Sequence, residues 1–222
     1  DSLKLIDVLH EQVLGKCDAN DGITDGVINN PLACDFDPSR DLNDLMCPAG
    51  TSTDECFSEA QLQTTIDLYT GPVDDDGNSV YPGKALGSEP QWARYYVPYN
   101  GNNMGPSKLV GVAGDHMNYL FYEQDPGRTI PDVRDYQYQP QTDGVFPEFH
   151  WIDYDINDFY SGKGDLMKTI TDAEDPNLTQ FLKDRSGKLI VYHGWSDTLI
   201  VAEDTLDYFN DMVNVTFSGS IA

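Results

Sequence analysis

The sequence predicts an α/β protein whose α/β layer is confined to its C-terminal part, with most of the chain forming an irregular, disulfide-tied insertion. Three observations predict it. The run Gly187-Lys-Leu-Ile-Val-Tyr-His-Gly194 is short, apolar and bounded by glycines, the pattern of a buried parallel strand. All four cysteines, Cys17, Cys34, Cys47 and Cys56, fall in the first quarter of the 222 residues. Strand–helix units do not recur along the chain, as they do in a self-sufficient α/β domain.

Taken in order, residues 1–16 carry Leu3, Ile6, Leu9, Val13 and Leu14 at helical spacing, so an amphipathic helix is expected. Residues 17–57 are dense in Asp, Gly, Pro and Cys and read as loop. Ser58 followed by Gln61 is a capping box, opening a helix that runs to Tyr69. The stretch 71–83 reads as a hairpin or tight loop turning at Asp76-Gly77. Residues 84–165 are aromatic, broken by Gly and Pro, and too weakly periodic to assign. A short helix is expected at 175–184, the strand at 187–194, and a helix at about 203–213.

Composition bounds the function. Asp and Glu total 38 against 13 Lys and Arg, a net charge of −25. Such a surface repels polyphosphate and anionic lipid, so nucleic acid and membrane are not expected as partners. No apolar run approaches the ~18 residues of a membrane span. An even cysteine count in two close pairs points to disulfides and an oxidising compartment, secreted or periplasmic. Three connectivities are possible. Joining Cys17 to Cys34 and Cys47 to Cys56 gives the shortest loops, each worth roughly 2–3 kcal/mol in the chain-entropy model.

Several groups could carry chemistry. Asp18, Asp21 and Asp25 fall within eight residues, interleaved with Gly22 and Gly26. Carboxylates forced together repel, and a hard cation such as Ca2+ removes that repulsion while also accepting the carbonyls of Ile23 and Val27. The loop is not an EF-hand, because Gly22 stands where that motif needs Asp or Asn. An acidic turn on an acidic surface has the same pattern. The run Asp74-Asp-Asp-Gly-Asn78 reads as a solvent-facing turn. Asp197 lies just past the expected strand, where parallel sheets place ligand and catalytic residues; there it could orient a catalytic histidine or simply cap a helix.

The search for a nucleophile fails. No G-x-S-x-G turn occurs, and no histidine follows Asp197; the four are His10, His116, His150 and His193. His193 reads as structural. The aromatic residues of the middle region, Trp92, Tyr95, Tyr96, Tyr99, Tyr119, Phe121, Tyr122, Tyr136, Tyr138, Phe146, Phe149, Trp151 and Tyr154, are core by default and could also line a pocket.

Several stretches together resemble the tannase and feruloyl esterase family. They are Cys17-Asp-Ala-Asn-Asp-Gly-Ile-Thr-Asp-Gly-Val-Ile-Asn-Asn-Pro31, Cys34-Asp-Phe-Asp-Pro38, Tyr69-Thr-Gly-Pro72, Tyr81-Pro-Gly83, Gly87-Ser-Glu89 with Trp92, Tyr119 to Pro126, Asp175 to Leu178, and Gly187 to Asp197. The resemblance implies an α/β-hydrolase core with a large lid inserted between nucleophile and acid. On that reading residues 1–16 are a core-linked helix, 17–186 the lid with its calcium loop, and 187–222 a core segment bearing the catalytic acid. It implies Asp197 as the acid and Ile200 beside the substrate. It implies a structural Ca2+ held by Asp18, Asp21 and Asp25 and the carbonyls of Ile23 and Val27. It also implies the pairs Cys17–Cys34 and Cys47–Cys56.

The family's serine turn and its histidine before a cysteine are not in this sequence. The expected partner is therefore the remainder of a hydrolase core, in the same parent or a companion chain, and the expected substrate a small galloyl- or hydroxycinnamoyl-type ester. The stretch 137–158 fits the family pattern poorly. The alternative is a non-catalytic extracellular calcium module that binds protein or glycan.

Overall fold

The structure is a computed structural model, and it describes residues 2–51, 53–96, 116, 121, 155–162 and 164–219. They fall into two compact units. One comprises residues 1–73, 77–91 and 173–222, the other 74–76 and 92–172. Among the described residues the regular structure is helical, with two isolated β-bridges, Met46–Phe57 and Val73–Ser79.

In the larger unit, helix α1 spans Ser2–Cys17. Its buried stripe is Leu5, Ile6, Leu9, Val13 and Cys17, the 3–4 spacing of a helix lying on a core. Each such aliphatic side chain contributes roughly 1.5–3 kcal/mol by leaving water. Cys17 ends the helix and is tied to Cys34, and Cys47 is tied to Cys56. Of the three connectivities open to the sequence, this is the one with the shortest loops. Between them the chain makes short 3-10 turns at Asp18–Asp21, Pro31–Ala33 and Asn43–Leu45, and a four-residue helix α2, Pro38–Asp41. Asp37 caps α2 by accepting the Ser39 N–H at 2.9 Å. Lys16 donates to both Asp41 oxygens at 2.8 Å, and Arg40 donates to them as well. Hydrogen bonds from Arg40 and then Lys16 hold the Asp41 carboxyl below the usual carboxylate range.

Helix α3, Glu59–Thr70, opens with the expected box: Ser58 Oγ accepts the Gln61 N–H, and the Ser58 N–H is accepted by Gln61 Oε1. It ends at Gly71, where the chain begins the tight loop read at 71–83. Val80 N–H donates to the Pro72 carbonyl at 2.9 Å, and Lys84 N–H returns to the Leu68 carbonyl at 2.8 Å. Backbone rests directly on backbone here. A Cβ on Gly83 would stand 1.8 Å from the Tyr69 carbonyl oxygen, and one on Gly71 2.3 Å from that of Tyr81. Main-chain atoms cannot yield as a flexible side chain does. Gly83→Ala is therefore expected to destabilise the fold by at least about 1–3 kcal/mol, read as a lower urea midpoint; an unchanged midpoint would show that the loop does not close on α3.

Behind that loop sits a fully buried carboxylate. Helix α4, Glu89–Tyr95, begins with Glu89, which has no solvent exposure. Its Oε2 meets His10 Nδ1 of α1 at 2.6 Å, and its Oε1 accepts from the Tyr69 hydroxyl at 2.7 Å and the Gly87 N–H at 2.8 Å. Burial, then the Glu89 charge, pushes the Tyr69 phenol well above its usual range. The network joins α1, α3 and the start of α4.

The C-terminal part differs from expectation in one respect. The run 187–194 is extended but pairs with no strand among the described residues. Ile190 is 87% and Tyr192 92% exposed, where a buried strand was expected. A parallel strand is buried only when neighbours flank it on both sides. The helix that follows, α6, is longer than expected, spanning Ala202–Phe217. Before it, α5 covers Asp165–Thr171 in the smaller unit, and a π turn occupies Gln180–Asp184 within the expected 175–184. Thr216 of α6 fastens that segment, donating to the Pro176 carbonyl and accepting the Leu178 N–H, each at 2.9 Å.

Candidate active site

Asp197 is placed by the turn that links the extended run to α6. Its N–H donates to the Gly194 carbonyl at 3.1 Å. The following residues anchor the turn inside the larger unit: Thr198 and Val201 are buried, and the Val201 N–H reaches the Tyr81 hydroxyl at 3.4 Å. The Asp197 side chain itself is 45% exposed. Its Oδ1 accepts the N–H groups of Leu199 at 2.9 Å and Ile200 at 3.2 Å. Partial burial pushes the carboxyl up, but these two N–H groups and His193 outweigh burial and hold it below its usual range. The group is therefore anionic at neutral pH, locked through one oxygen. It can accept a proton donor from a partner side chain.

Two further groups bear on it. His193 Nε2 lies 3.6 Å from Asp197 Oδ2, and the other ring nitrogen, Nδ1, meets the Thr205 hydroxyl of α6 at 2.7 Å. Lys84 is half-buried; burial lowers its ammonium, and the charge of Asp197 opposes that. Ile200, expected beside substrate, is 58% exposed and bonded to the acid through its N–H. From the sequence His193, four residues before Asp197, reads as structural; it lies beside the acid. Its separation of four residues was visible, but its partner Thr205 is not a sequence neighbour.

Alongside lies a pocket of about 320 Å³ between the extended run and α6, walled by Leu189, Val191, Trp195, Leu206 and Phe209 with His193. Exposure alternates along the run: Leu189 and Val191 are less exposed than Ile190 and Tyr192, although Tyr192 also borders the pocket.

The acidic loop presents carboxylates that are already engaged. Asp18 is buried, and its carboxylate accepts the N–H groups of Asp25 and Gly26 at 3.1–3.2 Å. Asp21 accepts from the Ile23 N–H and the Asn29 amide, which hold its carboxyl below the usual range. Asp25 accepts the Val27 N–H at 3.1 Å. All of these are oxygen donors of the kind a hard cation takes. They face backbone N–H groups, however, and among the described residues no three His, Cys, Asp or Glu side chains gather closely enough to hold a metal.

Of the aromatic residues, Tyr99, Tyr119, Tyr122, Tyr136, Tyr138, Phe146, Phe149, Trp151 and Tyr154 lie outside the described residues, as does His150. Among the described residues no helix is long and apolar enough to cross a membrane.

The family model described as "Tannase and feruloyl esterase" matches residues 2–221, and the chain belongs to that family. It is 27% identical over 225 residues to a mono(2-hydroxyethyl) terephthalate hydrolase of Piscinibacter sakaiensis, covering 91% of this chain and 35% of the relative. It is 25% identical to feruloyl esterase B of Aspergillus niger, covering 96% of this chain and 34% of that one. In fold it is similar to the crystal structure of feruloyl esterase B from Aspergillus oryzae, with a TM-score of 0.64 at 20% identity over 98% of this chain and 36% of the other. The chain thus spans about a third of the length of the relatives it matches.

Proposed function

We propose that this chain supplies the lid and the catalytic acid of a secreted or periplasmic serine esterase that cleaves aromatic esters of the galloyl or hydroxycinnamoyl type. The observation that carries the reading is Asp197: anionic, half-exposed, locked through Oδ1 by two backbone N–H groups, and beside the exposed Ile200. Its role is to accept the Nδ1–H of a histidine supplied from outside these residues, fixing the tautomer and stabilising the imidazolium. That histidine takes the proton from a serine, also supplied from outside. The serine oxygen adds to the ester carbonyl, and the alcohol leaves with the proton returned by the histidine. Water then hydrolyses the acyl-enzyme by the same steps. Family membership and the feruloyl and terephthalate esterases among the relatives support the ester class.

The remainder of the core is the proposed partner. The run 187–194 exposes Ile190 and Tyr192, the exposure expected of a strand whose flanking strands come from elsewhere. Residues 17–186 act as lid in this reading. Localisation rests on the two disulfides, which persist in oxidising compartments.

The test is to assay the complete parent polypeptide and the 222-residue chain against feruloyl and galloyl esters. The parent is expected to hydrolyse at least one and the chain alone neither. Hydrolysis by the chain alone would place the nucleophile inside it and end this reading.

We also propose a structural Ca2+ at Asp18, Asp21 and Asp25 with the carbonyls of Ile23 and Val27, resting on three carboxylates within eight residues; binding would require the carboxylates to turn together from the N–H groups they now accept. At a hundredfold excess over its dissociation constant, calcium is expected to stabilise by about 2.7 kcal/mol. The melting temperature should fall with chelator and return with calcium. No change in melting and no bound metal by elemental analysis would remove the assignment.

A further inference from the structure

We propose that His193 is a positioning residue for the carboxylate of Asp197, held for that role by the Thr205 hydroxyl. The inference rests on the reading of Asp197 as the catalytic acid. Three observations converge on it. The ring sits between two fixed points, Thr205 Oγ1 at 2.7 Å from Nδ1 and Asp197 Oδ2 at 3.6 Å from Nε2. Its side chain is only 20% exposed, against 45% for Asp197. The other Asp197 oxygen, Oδ1, is already engaged by the N–H groups of Leu199 and Ile200.

The chemistry follows from the tautomer. We assign the Thr205 hydroxyl as the donor to Nδ1, which puts the ring proton on Nε2, the nitrogen that faces the carboxylate. At 3.6 Å this is an electrostatic contact rather than a formed hydrogen bond. Catalytic hydrogen bonds are often long in the free enzyme and tighten when the site is complete. With Oδ1 fixed by backbone and Oδ2 facing an imidazole N–H, the carboxylate plane has little freedom to rotate. A fixed plane leaves the lone pairs of Asp197 aimed at one place, where the catalytic histidine has to present its Nδ1–H. Thr205 belongs to α6, so the helix, and not only the turn, sets the orientation of the acid.

The role is one of placement, since His193 touches neither substrate nor reacting atoms. Of the side chains that line the pocket beside it, Leu189, Val191, Leu206 and Phe209 carry no polar hydrogen that could replace its N–H. Lys84 also acts on Asp197 through its charge.

The experiment is a kinetic series in the complete, active polypeptide: His193→Phe, His193→Gln, Thr205→Val, Asp197→Asn, and the pair His193→Phe with Asp197→Asn. Active-site titration corrects each kcat for misfolded enzyme. His193→Phe is expected to lower kcat on the order of 10- to 100-fold with KM little changed. His193→Gln, which keeps an N–H donor, should recover most of the loss. Thr205→Val should fall between wild type and His193→Phe. On the Asp197→Asn background, His193→Phe should cost less than about twofold, because the group it orients is gone. A His193→Phe loss that is equal on both backgrounds, or a His193→Gln loss as large as that of His193→Phe, overturns the proposal. Should Asp197→Asn itself leave kcat intact, it is the reading of Asp197 that fails, so the two failures are told apart.

Discussion

Replacing Asp197 by Asn in the complete enzyme is expected to lower kcat by about 10⁴-fold while leaving KM nearly unchanged. Asn has the shape of Asp and keeps a carbonyl oxygen that can accept the Leu199 and Ile200 N–H groups now bound by Oδ1. The turn should therefore hold, and substrate binding with it. What is lost is the negative charge and the power to accept from histidine without offering a competing N–H. The amide can present its own donor to the imidazole, favouring the wrong tautomer. The imidazolium that forms as serine attacks then has no counter-charge. Steady-state kinetics on a feruloyl or galloyl ester, with unfolding measured on the same preparations, check this. A loss below about tenfold would mean that another residue serves as the acid.

Glu89→Ala is expected to cost 3–5 kcal/mol of stability, as when one member of a buried ion pair or network is removed. For a domain of this size that is a fall in melting temperature on the order of 10 °C. The reason lies in what stays behind. His10 Nδ1, the Tyr69 hydroxyl and the Gly87 N–H each lose the carboxylate oxygen they now meet within 2.8 Å. A void opens at a site with no solvent exposure, and water cannot enter freely to replace the acid. Glu89→Gln keeps the volume and an acceptor for Tyr69 and Gly87 but gives up the charge that faces His10. Its loss should be smaller. Equal losses for Ala and Gln would show that charge, not hydrogen bonding, dominates. A Glu89→Ala protein as stable as wild type would show that the network contributes nothing to folding.

The elements that were legible in the sequence are those whose cause is local. The spacing of Ile6, Leu9 and Val13 defines α1 within a few turns, although the stripe takes Leu5 and not the exposed Leu3, and the Ser58–Gln61 capping box is a contact across three residues. The tight loop at 71–83 announces itself by Asp76-Gly77, and the first turn of α6 by polar residues after an apolar run. Helices α4 and α5 were not visible, because neither shows a sustained 3.6-residue pattern. The misjudged segment, 187–194, teaches most. Its composition predicts a buried strand; what forms is a run with no strand partner among the described residues, in which Leu189 and Val191 are less exposed than Ile190 and Tyr192. Burial, by contrast, belongs to the strands on either side, and no described residue supplies them. The disulfides were open to three pairings because cysteine spacing does not encode proximity; packing selects one.

The candidate site divides the same way. Asp197 and Ile200 meet because three residues separate them, so their pairing could be read from the chain. Thr205 and His193, Tyr81 and Val201, and Lys84 and Asp197 come together only through the packing of the 71–83 loop and α6 around the turn. Glu89 is the plainest case. Its partners His10 and Tyr69 lie 79 and 20 residues away, and nothing in Gly87-Ser-Glu89 announces a buried acid. The oxygen-rich loop at 18–27 is legible as a donor set, but the order in which its carboxylates turn toward backbone N–H groups is not a property of spacing.

The most direct measurement is the site and rate of covalent labelling of the complete polypeptide by a fluorophosphonate, with and without Asp197→Asn. The reagent phosphonylates an activated serine oxygen and releases fluoride, so it reports the nucleophile and its activation together. The expected result is a single labelled serine outside these 222 residues, modified at least about 100-fold more slowly when Asp197 is replaced. A labelled serine within them, or a rate unchanged by Asp197→Asn, would contradict the assignment of Asp197 as the acid of a triad completed from elsewhere.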